Sequence, residues 1–281
     1  MIPVTCDSLK GMAANWQYGV KTIPVIHVAY AQNRKIAAGV EFTASQLRKI
    51  KGQLEEIAGR TVTDADIAEA VKVYNENRAA LRAFTAAAAK HPEAVTPTER
   101  SAVIKAGYFM DRAAHTEALY EITSALNAMP VCAWDGIKVV TSGIIADSPA
   151  LLKILEEQHI AIVDDQVAHE SGFFRYDTAV TEDPILGMAQ RLGDIEGTSV
   201  LYDPGKQRGK QLVELAKAAK ADGILWVMTK FCDPEEYDYV PVRRMIDAAG
   251  IPLLAVEVDQ QMVNYEQARS AVQAFAEMIG K

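Results

Sequence analysis

The sequence predicts an α/β protein in which a parallel sheet with crossover helices is joined to a long helical segment. Three observations carry that prediction. Beyond residue 136, short apolar runs alternate with helical patterns, the order expected of βαβ units with right-handed crossovers. Residues 33–129 are almost wholly helical in pattern and show no such alternation. Two apolar runs, Met1-Ile-Pro-Val-Thr5 and Gly223-Ile-Leu-Trp-Val-Met-Thr229, each lead through a Cys-Asp pair into a helix. The organisation drawn from these is an incomplete first α/β lobe plus helical arm over residues 1–135, then a C-terminal α/β domain over residues 136–281.

In order, the Cys6-Asp7 turn is followed by a helix to about Tyr18 and a short strand over residues 22–29. A polar connector leads through Asn33, a candidate cap, into a long amphipathic helix that Gly59 ends. Thr63, with Asp64 and Asp66 in the first turn, starts the next helix, and His91-Pro92 stops it. Thr96-Pro97-Thr98-Glu99 and Asp111 open two more. In the second half, strands are expected over residues 137–141, 160–163, 223–229 and 252–258. Helices are expected to follow Asp147-Ser148-Pro149, Asp183-Pro184, Gln207 and Tyr265. Asp233 is the expected N-cap of the helix after Cys232, with Pro234 at its first position.

The 281 residues suffice for two α/β lobes or one large one. A formal net charge of −8, without a basic run interleaved with aromatics, argues against nucleic acid as a partner. No apolar run approaches the roughly 20 residues that span a bilayer, and no basic-then-apolar leader opens the chain. Three widely separated cysteines make no disulfide framework, so a reducing, cytoplasmic setting with no membrane partner is expected.

A thiol at a strand-to-helix turn faces free backbone N–H groups and the positive end of the helix dipole. Both favour thiolate, the form that attacks electrophiles or binds iron. Cys232 and Cys6 stand in such turns. Together they fit a metal site or a nucleophile with a partner thiol, and the plain alternative for each is a cysteine that simply packs. Cys132, in Pro130-Val-Cys-Ala-Trp134, lies away from any helix start and reads as structural. Among the histidines, His169 is the best placed for a Cys–His pair, in a loop after a strand, whereas His27, His91, His115 and His159 have no motif context. Neither GxGxxG nor the P-loop signature occurs. The loop from Tyr202 to Gly209, with Lys206 and Arg208 at a helix start, reads as a phosphate cradle or as a solvated capping loop. Glu257 and Gln260, at another strand end, are candidates for lining the same crevice or for supporting hydrogen bonds.

Cys6-Asp-Ser-Leu-Lys-Gly-Met-Ala-Ala-Asn-Trp16, Gln32-Asn-Arg34, Lys230-Phe-Cys-Asp-Pro-Glu-Glu-Tyr237, Glu257-Val-Asp-Gln-Gln261 and Glu266-Gln-Ala-Arg269 together resemble one family over the whole chain. It is that of the 2-hydroxyacyl-CoA dehydratase component D subunits and the related ATP-dependent benzoyl-CoA reductase subunits. The resemblance implies flavodoxin-like sheets, and a heterodimer of homologous subunits that each hold a [4Fe–4S] cluster. It also implies an acyl-CoA substrate and an ATP-hydrolysing iron–sulfur activator that delivers a low-potential electron. In the dehydratases that electron makes a ketyl radical of the thioester carbonyl, which expels the hydroxyl group; in the reductases electrons enter the aromatic ring. Cys6 and Cys232 match two of the family's three cluster cysteines. The first of the three falls upstream of the Cys6 motif, in a region that also helps form the acyl-CoA pocket, and Cys132 does not stand at its position. Two other readings remain beside this one: a cluster-free acyl-CoA-binding or structural partner subunit, and a thiol-dependent enzyme with Cys232 as nucleophile.

Overall fold

The computed structural model describes every residue except 260 and 281. The first half of the chain forms β1 (Ile2–Pro3), α1 (Asp7–Gly19), β2 (His27–Val28), α2 (Ala37–Ala58), α3 (Asp64–Ala88), α4 (Pro97–Ala106) and α5 (Arg112–Ala128). There follow β3 (Ile137–Gly143), α6 (Pro149–Glu157), β4 (Ile160–Val167), α7 (Ser171–Phe174) and α8 (Pro184–Asp194). The chain continues through α9 (Gln207–Ala218), β5 (Gly223–Thr229), α10 (Asp233–Ala248), β6 (Leu253–Val258) and α11 (Glu266–Ile279). By packing, these divide into two compact units. One comprises Met1–Asn75, Asp177–Ile195 and Val200–Tyr202; the other comprises Glu76–Tyr176, Glu196–Ser199 and Asp203–Lys281.

In the first unit, β1 and β2 pair in parallel over two residues each, Ile2 with His27 and Pro3 with Val28. The strand expected over residues 22–29 is thus cut short. The ladder bonds run from the Ile2 and Val4 N–H groups to the Ile26 and Val28 carbonyls, and Pro24 has no N–H with which to extend them toward residue 22. The apolar stripe of α2, Val40 and Ala44, packs on Ile185 and Ala189 of α8. Asn33 does not cap α2; Ile36 takes the N-cap position without a side-chain bond. The Asn33 backbone instead folds over the first turn, where a Cβ on Gly39 would lie 2.0 Å from its carbonyl oxygen. Gly59, at φ 64°, closes α2 as expected. Thr63 and Asp66 exchange hydrogen bonds across the start of α3, an aspartate version of the capping box.

The second unit holds a four-stranded sheet, all parallel, in the order β4-β3-β5-β6. Counted within the unit this is 2-1-3-4, the flavodoxin-like order, and the strand order reverses between β3 and β5. One face of the sheet, with Val139, Leu225 and Val227, packs on Leu151 and Ile154 of α6 and on Val272 and Phe275 of α11. The other, with Val140, Ile224 and Trp226, packs on Leu212 of α9 and on Val242 and Ile246 of α10. A separate cluster around Phe84, Ile104 and Leu119 holds the C-terminal part of α3 with α4 and α5. The capping box of Thr96 and Glu99 and the Asp111 cap form where the sequence places them. β4 runs on to Val167, beyond the expected 160–163 and through Asp164 and Asp165. No helix among the described residues is long and apolar enough to cross a membrane.

Candidate functional site: the Cys232 turn

The carboxyl edge of the second unit's sheet is where its site residues gather. The β5 strand ends at Thr229, and the Cys232 N–H donates back to the Thr229 carbonyl at 3.1 Å, closing a tight turn. Cys232 is itself the N-cap of α10, and its carbonyl accepts from the N–H groups of Glu235 and Glu236. The expectation of Asp233 as N-cap is corrected by one residue. The tight turn starts the helix earlier and leaves Asp233 exposed in its first turn. Phe231 adopts φ 61° with its ring 87% exposed, a conformation costly for a bulky residue and found where a turn is held from outside. The thiol is half-buried and in no disulfide.

A buried polar cluster lies beneath the turn. Glu235 is wholly buried and accepts from the Trp226 indole N–H at 2.9 Å and from the Thr229 N–H at 3.1 Å. Arg208 stands 3.5 Å from the same carboxylate. Its guanidinium lies 4.1 Å above the Trp226 ring and donates to Ser142 Oγ at 2.9 Å, Gln166 Oε1 at 3.3 Å and Ser199 Oγ. Burial pushes the Glu235 carboxyl above its ordinary range against the pull of Arg208. Burial likewise lowers Arg208, which Glu235 opposes, and the guanidinium stays cationic. The phosphate-cradle reading of Lys206 and Arg208 is therefore overturned: Arg208 is engaged inside the fold, and Lys206 pairs with Asp238 at 2.5 Å.

Next to the turn is a crevice of about 570 Å³, lined by Lys105, Asp147 and Ser148, by Thr229 at the end of β5, and by Val258 and Tyr265. Lys105 pairs with Asp147, and Ser148 Oγ donates to the Tyr265 hydroxyl at 2.8 Å. Glu257 is exposed and lines a neighbouring groove with Lys230 and Glu236. Gln260 lies outside the described residues.

Cys6, in the first unit, repeats the arrangement. It is the N-cap of α1, half-buried, with its carbonyl accepting from the Lys10 N–H at 3.0 Å. Tyr30 stands beside it after β2, its hydroxyl raised by burial, bonded to Thr5 and within the field of the Cys6 thiol. Asp7 is exposed and pairs with Lys10 at 3.4 Å. Cys132 does not pack as expected; it is exposed on the connection to β3. Two residues on, Trp134 stacks on His159 at the start of β4, so Cys132 lies toward the amino edge of the sheet that carries Cys232 at its carboxyl edge. A seven-residue strand spans about 23 Å, so these two thiols cannot share one cluster. Cys132→Ser is accordingly expected to leave the folding midpoint unchanged in urea unfolding. His169 is held by its Nδ1 on the Ile144 carbonyl at 3.0 Å, a backbone partner in place of the thiol that a Cys–His pair requires.

Each of Cys6 and Cys232 has the setting that thiolate ligation of iron needs: a half-buried thiol at a helix N-terminus that no side chain caps. The described residues contain no gathering of three or more His, Cys, Asp or Glu side chains able to hold a metal, so a complete ligand set is not among them. Sequence reasoning found the thiols and missed the Glu235–Arg208–Trp226 cluster. The signal was a tryptophan inside an apolar strand, whose N–H needs a buried acceptor.

A 2-1-3-4 parallel sheet, with a thiol at the carboxyl-edge turn beside its reversal point, defines a flavodoxin-like α/β protein. Residues 1–279 match the family described as 2-hydroxyglutaryl-CoA dehydratase, D-component. The chain is 46% identical over 279 residues to the (R)-phenyllactyl-CoA dehydratase beta subunit of Clostridium sporogenes, covering 99% of this chain and 74% of that one. It is 38% identical over 282 residues to the beta subunit of (R)-2-hydroxyglutaryl-CoA dehydratase of Acidaminococcus fermentans, with 99% and 74% covered. A benzoyl-CoA reductase subunit of Thauera aromatica is 22% identical over 283 residues, with 99% and 73% covered. The chain belongs to the 2-hydroxyglutaryl-CoA dehydratase D-component family, and is an enzyme subunit.

Proposed function

We propose that the chain is one subunit of an iron–sulfur CoA-thioester enzyme that dehydrates an (R)-2-hydroxyacyl-CoA, with a homologous second subunit and an electron from an ATP-hydrolysing activator. The observation that carries the dehydratase side over benzoyl-CoA reduction is identity: 46% to the phenyllactyl-CoA dehydratase subunit against 22% to the benzoyl-CoA reductase subunit. Cys6 and Cys232 would be thiolate ligands of a [4Fe–4S] cluster in a cytoplasmic enzyme, with further ligands from outside the described residues. When bound, such a cluster passes single electrons. The chain's own residues hold the thiols at helix N-termini, and at Cys232 they shield the turn's lower side with Trp226 and Arg208.

A second reading is a cluster-free acyl-CoA-binding or structural partner of such an enzyme, in which the half-buried thiols of Cys6 and Cys232 pack at their helix N-termini. Iron and acid-labile sulfide, measured on protein purified without oxygen, separate the two. About four of each per chain supports the cluster, and Cys232→Ser and Cys6→Ser are each expected to lose most of the iron. No iron after anaerobic reconstitution supports the cluster-free reading.

A further inference from the structure

We propose that Glu235 is a positioning residue for the Cys232 thiol, clamping the turn from below through Thr229 and Trp226, with Arg208 as the buried cation that balances its charge. The inference rests on the reading of Cys232 as a ligand, and it concerns residues that reading does not itself use.

The connectivity is a closed loop. Thr229 gives its carbonyl to the Cys232 N–H and its own N–H to Glu235 Oε2, and the Glu235 N–H returns to the Cys232 carbonyl at 2.9 Å. Strand end and first helical turn are thus tied at Thr229, Cys232 and Glu235, and Cys232 sits between them at the N-cap. Phe231 is held at φ 61° inside this loop, with an exposed ring that can contribute little to keeping it there. The strain of that conformation has to be balanced by the bonds on either side. A carboxylate with no exposed surface needs a partner charge. Arg208 supplies it while bonding Ser142 on β3 and Gln166 on β4. The clamp therefore refers the thiol to the rigid centre of the sheet, at the point where strand order reverses.

The test uses Glu235→Ala and Glu235→Gln in the full chain, read by amide hydrogen exchange and by mass-spectrometric iodoacetamide labelling with Cys132 as internal reference. In Glu235→Ala the Thr229 and Cys232 amides should exchange about tenfold faster, the factor that a hydrogen bond to a charged group is worth. The amides of β3 and β4 should keep their wild-type rates. Cys232 labelling should rise relative to Cys132. Glu235→Gln should restore part of the protection, because its single carbonyl oxygen serves one of the two donors, and it carries the test if the alanine variant does not fold. Faster exchange spread evenly through the sheet, or no change at residues 229 and 232, overturns the proposal. Iron content separates it from the ligand reading. If Cys232→Ser keeps its iron while Glu235→Ala loosens the turn, Cys232 is no ligand and the clamp stands. If Cys232→Ser loses iron while the Glu235 variants exchange as wild type, the clamp is wrong and the ligand reading stands.

Discussion

Replacing Arg100 by Met is expected to cost about 3–5 kcal/mol of folding stability, the loss that follows when one partner of a buried ion pair is removed. Arg100, on α4, is 3% exposed and pairs with both Asp165 of β4 and Glu170 at the start of α7, themselves 1% and 3% exposed. Burial alone would push Asp165 up, but Arg100 and the N–H groups of Val167 and Ser171, each at 3.0 Å, hold its carboxyl below the usual range. Burial pushes Glu170 up, and Arg100 offsets only part of that. Without the guanidinium, both carboxyls are raised by burial and by each other. A group raised in the folded state contributes stability that is present below its unfolded pKa and lost as pH rises through its folded one. The deficit of the variant relative to wild type should thus be smaller at about pH 5 than at about pH 8. Urea unfolding at the two pH values checks it. A loss under about 1 kcal/mol, the size of a surface pair, or an equal deficit at both pH values, would show that the triad is not what ties α4 to the sheet.

That triad also explains where the sequence misleads. Asp164 and Asp165 look like the end of a strand, and only a cation 65 residues earlier in the chain makes the second of them an interior residue. Charge partners of that separation leave no local pattern. The alternation of strands and helices and the two Cys-Asp turns are legible because they rest on period and capping, which act over a few residues. Arg208 shows the opposite limit. Beside Gly205 and Gly209 it looks like an anion ligand on a loop, yet its partners are Ser142, Gln166, Ser199 and Glu235, gathered from separate segments of the chain. Strand order was equally hidden, since nothing in residues 137–143 announces that this first strand of the unit lies inside the sheet, between β4 and β5. The thiols of the site were thus readable and the framework that aims Cys232 was not.

Gly143→Ala is expected to destabilise the protein by about 2–4 kcal/mol, from overpacking and an unfavourable φ combined. Gly143 ends β3 at φ 150°, directly opposite Val227 on β5, and a Cβ there would lie 2.3 Å from the Val227 carbonyl oxygen. That oxygen is backbone in the centre of the sheet, so the strands themselves must part. Ser142 is the preceding residue and holds Arg208, so displacement of the β3 end should also loosen the Arg208–Glu235 cluster and raise the labelling rate of Cys232. Gly52→Ala is the matched control. It lies within α2 with open space where its Cβ would go, and the same change there should stabilise by about 0.5–1 kcal/mol, because alanine has less backbone freedom to lose than glycine. Denaturant unfolding of both variants, with Cys232 labelling on the first, gives two opposite signs for one chemical change. A Gly143→Ala protein as stable as wild type would mean that the β3–β5 edge yields, and that the reversal point is not the rigid reference on which the Cys232 turn is built.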